Sequence, residues 1–200
     1  MAGRGALGRA EVMSAPPAPP IVLASTSPQR SAILRQLGVP FEVVPPRYEE
    51  VGDDPVAHAA GKARSVDGGD RPVLGVDTVV VLDGAVLGKP AGAGEAEAML
   101  ERLGGRTHEV VSGLCLRTRA WEELHGETTR VTFRPLTARD LAHYVAAREW
   151  EGRAGAYAIQ GMGAALVDRI EGDYLNVVGL PAALLIRLLA TRFPGVYGYG

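Results

Sequence analysis

Residues 73–87 read VLGVDTVVVLDGAVL, and the fold class turns on them. Val73 to Leu82 is an apolar run rich in β-branched residues, the composition of a buried strand. Asp83-Gly84 is a tight-turn dipeptide, and Ala85 to Leu87 resumes as a short partner strand, so the chain turns back on itself in a hairpin. A regular doubly wound sheet instead joins its parallel strands through crossover helices. With a second pair of long strand-like runs at His108 to Arg117 and Glu122 to Phe133, the pattern predicts an α/β domain with a mixed sheet.

On the N-terminal side, Ile21 to Ala24 reads as a buried strand. Ser31 to Leu37 reads as a helix with Ile33, Leu34 and Leu37 on one face and Gly38 as its stop. Phe41 to Val44 is a second strand, ended by Pro45-Pro46, and Pro55 to Val66 is a helix. On the C-terminal side, Gly94 to Leu103 is an Ala- and Glu-rich helix closed by Gly104-Gly105. Thr137 to Ala147 is a helix capped by Thr137, with Asp140 at its third position. Ala164 to Ile170 reads as a strand, Glu171-Gly172-Asp173 as a turn, and Leu180 to Phe193 as the last helix.

A chain of 200 residues suits one domain or at most two small ones. Its 46% hydrophobic and 22% charged content is that of a soluble protein able to bury a core. A net charge of -2 provides no global basic field, which argues against a nucleic-acid or acidic-membrane partner. No run approaches the ~18 apolar residues of a membrane span. Residues 1–19 are rich in Gly, Ala and Pro, lack the apolar core of a signal peptide, and read as a flexible leader, with a transit peptide as the alternative. The domain is expected over 20–200. A lone Cys115 in the apolar run SGLCLR excludes an intramolecular disulfide, fits a reducing cytoplasmic setting, and reads as an inert core thiol.

Five segments carry chemistry. In LASTSPQR, residues 23–30, Ser27 fits a helix N-cap, Pro28 the first helical position and Arg30 the third. Free amides at such a joint, with the Ser25 and Ser27 hydroxyls and the Arg30 fork, form an anion site, or else simply a capped helix. No Walker pattern is present. Asp77, inside a β-branched run, needs a partner, because an unpaired buried charge is very costly. It either pairs structurally, holds a metal, or accepts a proton from water. Lys62 and Lys89 are the two lysines of the chain. Lys89, framed by Gly88 and Pro90, suits a positioned cation but by default reads as a surface lysine, just as Lys62 reads by default as part of a solvated helix face. In GRAGAYAIQGMG, residues 152–163, glycines surround Gln160, whose amide both donates and accepts. Glu49 and Glu50 follow a strand, where one of them could join Asp77 to hold Mg²⁺ or Mn²⁺. His58, His108, His125 and His143 show no ligand spacing with cysteine, so no zinc site is predicted.

Taken in order, LASTSPQR, FEVVPPRYEE, the Lys62 helix, GVDTVVVLDGAVLGKP, LGGRTHEVVSGLCL and GRAGAYAIQGMGAALVDRIEGDYLNVVGLP resemble the Maf family of nucleoside triphosphate pyrophosphatases. The resemblance covers nearly everything from residue 20 to about 190. It implies an elongated mixed sheet with flanking helices and a central cleft, related to the inosine triphosphate pyrophosphatases. It also implies metal-dependent hydrolysis between the α- and β-phosphates, and, because members are often dimeric, a homodimer. Matched residue by residue, it implies that Ser25, Ser27 and Arg30 bind phosphate and that Glu50 is a metal or water ligand. Lys62 and Lys89 match the family's two lysines, and Asp77 matches the residue that activates water.

Thr78 and Gln160 match positions tied to base choice and are of the types seen in the dTTP and UTP branch. Gln29 departs from the pattern, since the family commonly carries a second arginine there, and that position too is tied to substrate choice. The segment between Glu50 and Lys62 is also shorter than usual. Two other classes of reading stand beside this one. One is a nucleotide-binding regulator of division with vestigial catalysis. The other is a nucleic-acid-binding module, which the charge disfavours. Among enzymes, the alternative is a phosphatase that removes the γ-phosphate.

Overall fold

A computed structural model of the chain describes residues 18–199. Strands β1 (Ile21–Ala24), β2 (Phe41–Val43), β3 (Val73–Leu82), β4 (Ala85–Leu87), β5 (Thr107–Arg117), β6 (Glu122–Phe133) and β7 (Val167–Glu171) form one mixed sheet. Its order is β2-β1-β3-β5-β6-β7, with β4 paired to β3. β1 runs parallel to β2 and β3, and the other pairs are antiparallel. The two hairpins of the sequence therefore set the class as expected. The helices are α1 (Pro28–Gln36), α2 (Pro55–Arg64), α3 (Ala93–Leu103), α4 (Ala138–Ala146), α5 (Tyr174–Val178) and α6 (Ala182–Arg192).

Local chemistry explains the helix starts. Asp54 caps α2, its carboxylate accepting from the Val56 and Ala57 amides at 2.8 and 3.2 Å. Thr137 and Asp140 form a reciprocal capping box on α4. Two expectations shift. Ala164 to Leu166 belongs to a 3₁₀ turn, Met162–Leu166, and the strand begins at Val167. The short α5 was not foreseen. Asp173, read as a turn residue, caps it through the Leu175 amide. Of the expected leader, residues 1–17 lie outside the described residues. Ala18 packs on the core, and the Pro19 carbonyl accepts from the Tyr197 hydroxyl at 3.0 Å.

β3 is shared by three apolar clusters. Leu74 and Val76 join β1, α1 and α6; Val80 and Leu82 join α3 and α4; Val73 joins Ala59 and Ala63 of α2. The period of two turns Gly75 and Asp77 to the α2 side. There the helix lies directly on the backbone. A Cβ on Gly75 would sit 2.1 Å from the Ala59 carbonyl oxygen, and one on Gly113, the β5 partner of Asp77, would sit 2.1 Å from the Pro55 carbonyl oxygen. Any side chain at either position displaces the helix.

Gly113→Ala is therefore expected to lower stability by about 1–3 kcal/mol, the usual cost of overpacking. Gly126→Ala, one strand over, where the nearest atom to an added Cβ lies 3.7 Å away, should change it by less than about 0.5 kcal/mol. Urea denaturation midpoints compare the two, and equal losses would contradict the close-approach account.

Candidate active site

Where β3 passes between its clusters, the chain leaves a cavity of about 600 Å³, within the range of small-molecule sites. Ten residues singled out from the sequence line it, Ser25, Ser27, Gln29, Arg30, Glu50, Lys62, Asp77, Thr78, Lys89 and Gln160, and of the paired acids Glu50 and not Glu49 does so. They come from the β1–α1 joint, the loop before α2, α2 itself, β3, the segment after β4 and the glycine-rich stretch, so the site exists only once the sheet has closed.

The centre of the wall is ionic. Asp77, 8% exposed, receives the Lys62 ammonium at 2.6 Å on Oδ1. The same ammonium lies 2.6 Å from Glu50 Oε1. Lys62 is thus not on a solvated face as its sequence context implied; it is 8% exposed and bridges two carboxylates. Burial alone would raise the Asp77 carboxyl. The Lys62 hydrogen bond and charge, the Arg30 charge and the His58 contact more than offset this and hold it below its ordinary value. Asp77 is therefore a carboxylate throughout the neutral range.

At the β1–α1 joint the expected cap is present. Ser27 Oγ accepts from the Arg30 amide at 3.5 Å and donates to Gln29 Oε1 at 3.1 Å, and the Ser27 amide donates to Ser25 Oγ at 3.1 Å. The Arg30 guanidinium is partly engaged by the protein. It donates to the Gly179 carbonyl at 2.9 Å, to Ser25 Oγ at 3.1 Å and to Thr78 Oγ1 at 3.4 Å. Burial lowers its pKa, with Asp77 and Glu50 acting in the opposite sense. Thr78 Oγ1 also meets Ser112 Oγ at 2.8 Å. Lys89 and Gln160 are exposed on the cavity wall, without an ion pair or side-chain hydrogen bond among the described residues. Cys115 is fully buried, and burial pushes its thiol up to about 12, as an inert core thiol requires.

His58 was missed. It lies on α2, 4% exposed, with Nδ1 3.3 Å from Asp77 Oδ2 and Nε2 3.2 Å from the Val51 carbonyl oxygen. The available signal was its position four residues before Lys62, which puts both on one helix face. Donor atoms of Glu50, His58 and Asp77 lie within 4.8 Å of one another. Carboxylates at this spacing suit a divalent cation. Arg153, from the glycine-rich stretch, also lines the cavity, and its Nε is buried without a partner among the described residues.

The sequence profile of Maf-like proteins matches residues 20–192. The chain belongs to the Maf-like family. A relative in Deinococcus radiodurans, named dTTP/UTP pyrophosphatase, is 44% identical over 196 residues, covering 94% of this chain and 100% of its own length. Relatives of the same name in Nitratidesulfovibrio vulgaris (47% over 184 residues, 86% of this chain and 88% of its own) and Thermus thermophilus (43% over 180 residues, 87% and 95%) align similarly. The mixed sheet with flanking helices is thus the Maf-like fold in this chain. No helix among the described residues is long and apolar enough to cross a membrane.

In this Maf-like site, a carboxyl held low contributes stability above its unfolded value, about 3.9. That contribution disappears as pH falls through the folded value. Lys62→Met removes the nearest cation, so the Asp77 carboxyl should titrate at higher pH than in the wild type, by ¹³C NMR of the metal-free protein. Stability should fall by about 3–5 kcal/mol, the cost of breaking a buried pair. An unchanged Asp77 titration would contradict this electrostatic account.

Proposed function

We propose that this chain hydrolyses nucleoside triphosphates between the α- and β-phosphates, yielding a nucleoside monophosphate and pyrophosphate. The relatives' shared name supports the reaction class. The observation that carries the reading is Asp77: a buried, ionised carboxylate on a rigid strand, held by Lys62 and facing a cavity lined by basic groups.

Asp77 orients a water for attack on the α-phosphorus and takes its proton. A carboxylate with a depressed pKa is a weak base, so positioning is the larger part of what it supplies. Lys89, exposed and without an ion pair among the described residues, is placed to meet a phosphate. Lys62 neutralises charge beside the attacked centre. Arg30 spends three of its five N–H donors on the protein, which holds Ser25 and Thr78 in place, and keeps two for a phosphate. Glu50 and Asp77 would hold a Mg²⁺ or Mn²⁺ ion, which would neutralise phosphate charge when bound. Gln160, with its amide free among the described residues, reads the base edge. Together with Thr78 it favours dTTP and UTP, while Gln29 stands where it can modify that choice. The setting is cytoplasmic, in line with the buried free thiol, and the active form is a homodimer, as the resemblance implies.

Asp77→Asn should lower pyrophosphate release at least ~100-fold while circular dichroism shows the fold retained; near-normal turnover would remove Asp77 from the mechanism. A panel of nucleoside triphosphates with Mg²⁺ or Mn²⁺, scored for pyrophosphate against orthophosphate, should favour dTTP and UTP. Orthophosphate as the product would mean γ-phosphate removal instead, and a purine-tilted profile would assign the choice to Gln29.

A further inference from the structure

His58 has a hydrogen-bonding problem that a neutral imidazole cannot solve. Its Nε2 lies 3.2 Å from the Val51 carbonyl oxygen and its Nδ1 3.3 Å from Asp77 Oδ2, so the ring faces an oxygen acceptor on each side with one proton to give. With the proton on Nε2, Nδ1 presents a lone pair to Asp77 Oδ2. In that tautomer two lone pairs face each other in a wall where His58 is 4% and Asp77 8% exposed. A buried contact of that kind is unfavourable without a cation between the two atoms.

The Lys62 ammonium does not fill that place. It lies on the other oxygen, Oδ1, at 2.6 Å, and on Glu50 Oε1. Asp77 is thereby divided: one oxygen serves the ammonium, and the other faces the imidazole. Metal–ligand bonds of about 2.0–2.2 Å place neighbouring donor atoms about 3 Å apart, which matches the 3.3 Å between Nδ1 and Oδ2. Glu50, with its side chain 53% exposed, can turn its carboxylate toward the same point without repacking the wall.

We propose that His58 Nδ1 is a metal ligand. With Asp77 Oδ2 and Glu50 it completes a site of one nitrogen and two carboxylates that prefers Mn²⁺ and similar borderline ions to Mg²⁺. The preference follows from donor chemistry: imidazole suits transition ions, whereas Mg²⁺ takes oxygen ligands and retains its waters. This inference rests on the reading of Glu50 and Asp77 as metal holders. The rival is a ring with a proton on Nδ1, as the other neutral tautomer or as imidazolium, that donates to Asp77 and binds no metal.

The test uses the full chain with Mn²⁺ alone, without nucleotide. Electron spin-echo modulation of the bound Mn²⁺ should show coupling to an imidazole ¹⁴N, and His58→Gln should abolish it. The same variant should weaken Mn²⁺ binding at least ~10-fold and Mg²⁺ binding less, narrowing the preference. Absence of ¹⁴N coupling in the wild type overturns the proposal, as does coupling that persists in the variant or Mn²⁺ affinity equal in the two. If His58→Gln does not fold, the wild-type spectrum decides alone. Pyrophosphate release by the wild type, assayed separately, keeps the two readings apart. Turnover without ¹⁴N coupling removes only the nitrogen ligand, and coupling without turnover removes only the reaction.

Discussion

The direct seating of α2 on bare backbone is the constraint on which the rest depends. Gly75 on β3 and Gly113 on β5 have no side chain to hold the helix off, and carbonyl oxygens of Ala59 and Pro55 occupy the space a Cβ would need. Sheet-to-helix separation is usually set by interdigitating side chains. Here it is set by their absence, and the helix comes close enough for Lys62 and His58 to reach a carboxylate rooted in the strand beneath it. The site geometry and the packing of this layer are thus one structural decision.

That seating also makes an expensive electrostatic arrangement workable. A buried carboxylate is unfavourable alone, and a buried ammonium equally so. Placed 2.6 Å apart, with Glu50 sharing the ammonium and Arg30 adding a second cation nearby, each relieves the other. Removing one member leaves the other uncompensated, which is costlier than never having had the pair. The wall is accordingly polarised in advance, a condition for stabilising developing charge without reorganisation.

Much of this was legible in the chain. The Asp83-Gly84 turn and the run before it identified the mixed sheet, because hairpin chemistry is local. Ser27, Pro28 and Arg30 announced the start of α1, and Thr137 with Asp140 that of α4, because caps involve residues three apart. What escaped was non-local. The short α5 depends on Asn176, whose amide reaches the Val110 carbonyl and Thr129 on distant strands, so its five residues carried no periodicity to read. Lys62 looked solvated because its helix shows no clean apolar stripe; small residues line the buried side, and their burial comes from the glycines opposite.

By itself the sequence determined which groups were available and which elements carried them: a carboxylate in a strand, two lysines, a capped joint, a glycine-rich turn. Those follow from local propensities and from the cost of placing a charge in an apolar run. Tertiary structure alone decided the partnerships. It gave Lys62 to Asp77 and Glu50 together, committed the Arg30 guanidinium to Ser25, Thr78 and Gly179, and turned His58 toward Asp77. The reason is distance: apart from Ser25, five positions from Arg30, these partners lie far apart in the chain, up to 149 positions for Arg30 and Gly179, and meet only when the sheet closes and α2 settles on the glycines, an approach that no local rule encodes.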